Sequence, residues 1–176
     1  PDREGQGSAG ERAPAYQGTG WGKGIAEMTD KIRDFGCSDA PMTKSQLEKA
    51  QQKGGAVVHV PLVVGGVVVP YNLKEVEKPL VLSGEVLAGI FGRQITKWND
   101  DKIKALNPGA NLPDRAIVVV VRKEGSGTAN VFTEYLGKLS EEFRKAIPAG
   151  TEPNWPAEFT RAQQSSGVVK EVRDTP

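Results

Sequence analysis

The chain has 176 residues, enough for one domain or two small lobes, and because only 6% of them are aromatic its core has to be built mainly from Val, Leu, Ile and Ala. With 23 basic and 22 acidic residues the net charge is +1, so no field of one sign exists to steer the chain onto nucleic acid or a membrane surface, and any anion site must be local. The single histidine, His59, argues against a histidine metal centre or a Ser-His-Asp triad, and the single cysteine, Cys37, excludes an internal disulfide.

Residues 1–15 (PDREGQGSAGERAPA) are polar and aperiodic and predict a flexible arm. They hold no apolar leader core, and no run anywhere reaches the ~18 apolar residues of a membrane span, so the chain reads as soluble as written, with any leader already removed if it is exported. Tyr16 to Gly24 (YQGTGWGKG) predicts a strand end running into a glycine-rich turn, followed by a helix carrying Ile25, Met28 and Ile32. Phe35-Gly36-Cys37 predicts a short strand, with Cys37 as a small core residue. Ser38 to Pro41 follows as a loop, and a helix over Thr43–Gln52 has Thr43 as its cap.

Residues 56–73 (AVVHVPLVVGGVVVPYNL) are the most apolar stretch, and their Pro and Gly punctuation predicts two buried strands joined at Gly65-Gly66 rather than a membrane helix. His59 is expected there as a satisfied structural histidine. Ser83–Phe91 predicts a helix capped by Ser83, with Glu85 in its first turn. Asn99–Leu106 predicts another, stopped by Asn107-Pro108-Gly109. Ala116–Arg122 (AIVVVVR) predicts a buried strand and Gly125–Thr128 a tight turn. A helix over Ala129–Leu139 is expected to turn Val131, Tyr135, Leu136 and Leu139 to one face. Further helices are expected over Ser140–Ile147 and around Val168–Val172, while Trp98 and Trp155 read as loop anchors. Alternation of strands and helices gives an α/β class.

The sharpest chemical feature is RKEGSGT, Arg122 to Thr128, between an all-Val strand and a helix. This puts Ser126, Gly127 and Thr128 at a helix start, where the first amides lack internal partners and the aligned peptide dipoles add roughly half a positive charge. Glycine lets the backbone approach a ligand, two hydroxyls add donors, and Arg122 adds a charged fork that matches two oxygens of an oxyanion. The same residues also fit a plainer arrangement in which Ser126 caps the helix and Arg122 pairs with Glu124. GTGWGKG (18–24) is a second glycine-rich turn before a helix. It lacks the dinucleotide spacing and the GK[ST] ending of a P-loop, and by itself reads sooner as a simple turn than as an anion site. Asp39, in the loop after Cys37, is an acceptor that a protonated oxyanion can satisfy and sulfate cannot, or else a cap for the turn before Pro41.

Taken together, YQGTGWGKGI (16–25), DFGCSDAPMT (34–43), VPLVVGGVVVPYNL (60–73), SGEVLAGIFGRQITKWNDDKIKALNPGANLPD (83–114), VVRKEGSGTANVFTEYL (120–136) and NWP (154–156) resemble the extracytoplasmic phosphate-binding proteins that serve phosphate-specific ABC importers. The resemblance implies an α/β, periplasmic-binding-protein-like (type II) fold closing around one phosphate, with one lobe nearly complete and the other reduced. It implies an arm over 1–15, a reduced first lobe over 16–66, a second lobe with the anion cradle over 67–156, and a C-terminal tail or truncated segment over 157–176. Phosphate would be held by Arg122, Ser126, Gly127 and Thr128 from the second lobe and by Asp39, Gly20 and Trp21 from the first. Glu124, where the family usually has Asp, would fix the Arg122 fork from behind. Trp21 stands where the family has Ser, and Val64–Val69 would cross between lobes. The implied setting is periplasmic or extracytoplasmic, with permease subunits as partners, no cofactor, no metal and no catalysis. The alternative within the resemblance is a degenerate or truncated homologue, with weak or no phosphate binding, acting as an interaction or structural domain. A phosphoryl hydrolase with Ser126 as nucleophile and Glu124 as base is the enzymatic alternative, and it lacks a placed histidine or a carboxylate cluster.

Overall fold

Helix α1 (Trp21–Thr29) opens the part of the chain that the computed structural model describes, which is residues 21–38 and 40–176, with only the backbone of Trp21. Its apolar residues Ile25 and Met28 pack against Leu47 and Ala50 of α2 (Lys44–Gly54), with Met42 and Val57 completing a small cluster. Thr43 caps α2 as its sequence predicts. Thr43 Oγ1 accepts from the Gln46 amide at 3.3 Å and Gln46 Oε1 accepts from the Thr43 amide at 2.8 Å, a reciprocal capping box. His59 Nε2 accepts from the Met42 amide at 3.1 Å, so the histidine has the structural role expected of it.

Two expectations fail in this half. Phe35–Cys37 forms no strand, and Cys37 is exposed rather than in a core. Residues 56–73 form no strands either, and apart from Val57 the Val side chains there lie open to solvent. The physical reason is that β-propensity describes a fit to a pleated, half-buried surface, and among the described residues no neighbouring strand supplies that surface. Pro61 and Pro70 further remove two ladder donors.

The larger core begins at α3 (Gly84–Phe91), capped by Ser83 through the Val86 amide at 3.3 Å and burying Val86, Ala88 and Ile90. Helix α4 (Asp101–Leu106) is capped by Asp100, whose Oδ1 accepts from the Lys102 amide at 2.9 Å, so it starts two residues later than expected. Asn107 ends α4 and ties it to the approach of α3. Its Oδ1 accepts from the Val81 amide at 2.7 Å and its Nδ2 donates to the Val81 carbonyl at 2.8 Å.

Strand β1 (Val120–Arg122) pairs in parallel with β2 (Thr160–Ala162), in the register Val120 to Thr160 and Arg122 to Ala162. Parallel strands need a crossover, and here it consists of α5 (Gly127–Leu139) and α6 (Glu141–Ala146). Helix α7 (Gln164–Asp174) then packs on both strands. Of the expected strand over 116–122 only the last three residues join the ladder. Val119 and Val121 are buried, but Val118 is 52% exposed, so the segment has one covered face rather than two.

Helix α5 turns a different stripe inward than the sequence suggests. Ala129, Thr133 and Leu136 are buried, with Phe132 beside them, while Val131, Tyr135 and Leu139 are exposed. Thr133 is tolerated inside because its hydroxyl donates to the Ala129 carbonyl of the preceding turn at 2.8 Å, which satisfies its polar atom. Phe132 meets Phe91 edge-on with ring centroids 4.8 Å apart, and Trp155 and Phe159 extend the cluster. Trp155 therefore belongs to the core itself.

Candidate functional site

The C-terminal end of β1 delivers Arg122, and four residues later the chain turns into α5. Gly125 lies in that turn, where a β-carbon would meet the tip of the exposed Glu152 side chain, Oε1, at 3.0 Å. Ser126 is the N-cap of α5. Its hydroxyl oxygen accepts from the Ala129 amide at 3.2 Å and its own amide donates to the Thr151 carbonyl at 2.9 Å. It is almost wholly buried, and Gly127 is buried beside it. The cap role read from the sequence is thus present. A hydroxyl that accepts at a cap still carries its own proton to donate. The Gly127 amide, first in the helix, enters none of the hydrogen bonds among the described residues. Thr128 is half-buried and lines a cleft of about 370 Å³ together with Arg122 and Ser165.

Arg122 is oriented by Glu124. Its Nε donates to Glu124 Oε1 at 2.8 Å, its Nη2 donates to the same oxygen, and its Nη1 reaches Ser165 Oγ at 3.4 Å. Glu124 Oε1 also accepts from the Gln164 amide at 2.9 Å. That amide belongs to the first residue of α7, whose N-cap Gln163 makes no side-chain cap bond. The carboxylate therefore caps α7 from a distance in sequence and sits in the favourable end of its dipole. Gln164 has φ 59°, a left-handed conformation that turns its amide into this position. Burial pushes the Glu124 carboxyl upward, but the hydrogen bond from Arg122, the main-chain amides and the guanidinium charge outweigh it, holding the group below its ordinary value of 4.5. Its second oxygen, Oε2, is buried with no partner among the described residues.

The depressed carboxyl makes stability depend on pH in a definite direction. A group whose folded value lies below its unfolded one contributes stability above the unfolded value and loses it as pH falls through the folded value. The parent chain is expected to be more stable than Glu124→Gln near pH 7, with the difference closing as pH falls below the ordinary value of 4.5 and through the lowered folded value. Urea unfolding across that range checks it, and a difference that stays constant with pH would refute the assignment.

The structure also brings the second glycine-rich turn to the first. A β-carbon built on Gly22, in the first turn of α1, lies 4.0 Å from the Gly125 carbonyl oxygen, and one on Gly24 lies 3.9 Å from the Cys37 carbonyl oxygen. The first turn of α1 therefore lies beside the Gly125 turn that leads into α5, and Cys37 lies beside α1. Asp39 and Gly20 lie outside the described residues, as does the side chain of Trp21. Sequence reading missed Ser165 and Gln164, because residues 157–176 carry no glycine-rich turn leading into a helix. Only the β1–β2 pairing places the start of α7 beside Arg122. Among the described residues no cluster of three or more His, Cys, Asp or Glu could hold a metal ion, and no helix is long and apolar enough to cross a membrane.

The chain is 45% identical over 142 residues to the phosphate-binding protein PstS of Pasteurella multocida, covering 80% of this chain and 40% of that protein. It is 38% identical over 168 residues to PstS of Methanocaldococcus jannaschii, covering 92% of this chain and 43% of that protein. Among solved structures it is similar to PfluDING, a high-affinity periplasmic phosphate-binding protein bound with phosphate. That match has a TM-score of 0.65 and 26% identity, covering 87% of this chain and 45% of that one. The chain thus spans about two-fifths of the length of the curated relatives it matches. The motif resemblance to phosphate-binding proteins is borne out by these matches, and the α/β, periplasmic-binding-protein-like fold with it. A description of the PBP superfamily domain matches residues 8–176, and the chain belongs to that superfamily.

Proposed function

We propose that this chain binds inorganic phosphate in a protonated form, as part of the solute-binding component of an ABC-type phosphate import system working outside the cytoplasm. The observation that supports the reading is the start of α5 with its Ser126 cap and Thr128, next to an arginine whose fork is held by Glu124 and Ser165, with the first turn of α1 against the Gly125 turn. Backbone amides, the Ser126 and Thr128 hydroxyls and the Arg122 guanidinium hold the phosphate oxygens, and Asp39, Gly20 and Trp21 complete the set of ligand residues. No bond of the ligand is made or broken, and permease subunits receive it.

Charge at the turn favours a protonated oxyanion. Glu124 neutralises much of Arg122, and Glu152 brings a second carboxylate against Gly125. A protonated phosphate can donate to such an acceptor, while sulfate meets only repulsion, so selectivity arises as a penalty on the wrong ligand. Two separate apolar clusters support a two-lobed reading, the smaller at α1–α2 within residues 16–66 and the larger around β1, α3, α5 and α6, to which β2 and α7 attach.

Isothermal titration with phosphate and with sulfate tests this. Phosphate is expected to bind, with sulfate weaker by roughly 100-fold or more. Equal affinity would sink the selectivity argument. Absence of binding to a folded sample would leave the chain as a non-binding homologue that retains only the architecture.

A further inference from the structure

One edge of the Arg122 guanidinium is taken by Glu124. Nε and Nη2 both donate to Glu124 Oε1, which leaves the end of the fork, Nη1 with the second hydrogen of Nη2, as the pair of donors open to an oxyanion. Ser165 stands at that end. Its Oγ accepts from Arg122 Nη1 at 3.4 Å, a long and therefore weak bond. The hydroxyl still carries its own proton, and that proton has no acceptor among the described residues. Ser165 is exposed and lines the same cleft as Arg122 and Thr128.

The position of Ser165 is set by the fold. The β1–β2 register places Arg122 opposite Ala162, just ahead of α7. The Gln164 amide donates to Glu124 Oε1 at 2.9 Å and so anchors the residue next to Ser165. Gln164 adopts φ 59° to do this, a left-handed conformation that residues with a β-carbon rarely take, and strain of this kind collects where ligands are held.

We propose that Ser165 is itself a ligand of the anion, its hydroxyl donating to one oxygen of the phosphate while Arg122 holds another. The inference rests on the phosphate-binding reading above and adds to it a donor from α7, outside the glycine-rich segments. A hydroxyl that accepts from a guanidinium is polarised, which strengthens the bond its proton makes in turn. The acceptor is an anion, so that bond is charge-assisted. A tetrahedral anion spreads its oxygens, so one can accept from Nη1 while the next accepts from the hydroxyl on its flank. The serine needs only a change of χ1 between staggered wells, and its exposure leaves that rotation free.

Isothermal titration of the full chain with inorganic phosphate provides the test. Ser165→Ala is expected to weaken binding by about tenfold or more, the size of one hydrogen bond to a charged group. Ser165→Thr keeps the hydroxyl and should bind within about threefold of the parent. Ser166→Ala is the neighbouring control. Ser166 is exposed and does not line the cleft, so its loss should leave affinity unchanged. All three variants should match the parent in circular dichroism and urea unfolding.

A ligand differs from a residue that merely steadies Arg122 in the Arg122→Lys background, where the planar fork and the Nη1 contact are gone. Direct contact means that adding Ser165→Ala there still weakens binding by about tenfold, whereas action through the arginine means no further loss. Unchanged affinity in Ser165→Ala, equal losses in Ser165→Ala and Ser165→Thr, a comparable loss in Ser166→Ala, or no further loss in the Arg122→Lys background would each overturn the proposal. A parent chain that binds no phosphate removes the phosphate-binding reading and this inference together. A parent that binds no better than Ser165→Ala removes this inference alone.

Discussion

Arg122→Ala is expected to reduce phosphate affinity by roughly 100-fold or more, the equivalent of about 3 kcal/mol. Hydrogen bonds to charged groups are worth about 1.5–3 kcal/mol each, and a fork placed against an oxyanion makes up to two. Removing the guanidinium also leaves Glu124 facing the site without its counter-ion, since Glu124 Oε1 accepts from both Nε and Nη2 of Arg122. Its negative charge then repels the ligand that Arg122 attracts. Arg122→Lys keeps a charge but loses the planar fork, so it should bind more weakly than the parent and more tightly than Arg122→Ala. Isothermal titration gives the affinities, and urea unfolding of the same samples separates lost binding from lost folding. Unchanged affinity in folded Arg122→Ala would remove the arginine from the site.

The largest stability loss is expected from Phe143→Ala, about 3–5 kcal/mol. Phe143 is fully buried where α6 packs on α5 and α3. Its ring fills the space between the crossover helices, and truncation leaves a cavity that the Ser140-capped first turn of α6 cannot close. Domains of this size are stable by only about 5–15 kcal/mol in total, so the variant should unfold at a much lower urea concentration. Val131→Ala, on the exposed face of α5, should change stability by less than about 0.5 kcal/mol. Similar losses in the two variants would mean that the α5–α6 contact is not the centre of the core.

Local signals in the chain foretold a good part of the outcome. Thr43, Ser83 and Ser126 were each legible as helix caps, because a short side-chain oxygen next to a helical pattern competes for the first amides within a few residues. The Arg122–Glu124 pair was legible for the same reason, with only one residue between them. The stripe of α5 was not. Leu136 was foreseen inside, but Val131, Tyr135 and Leu139 turned outward in favour of Ala129 and Thr133. Hydrophobicity ranks side chains, whereas the angle at which β1 delivers the helix onto α3 and α6 decides which stripe is covered.

What the sequence determined by itself, then, is whatever is settled within one turn of helix or one loop: the caps, the helix stops at Asn107-Pro108-Gly109, the glycine-rich turns and the residue types of an anion cradle. The tertiary structure alone decided three things. The Val-rich segment of 56–73 stayed unpaired because no strand among the described residues lies alongside it. The three-residue β2 exists because β1 offers it a parallel partner. Glu124 became the cap of α7, bringing Ser165 to Arg122, because that pairing sets the start of α7 next to a carboxylate forty residues earlier. Each depends on contacts between segments far apart in the chain, and their free energy is not encoded in any local pattern of residues.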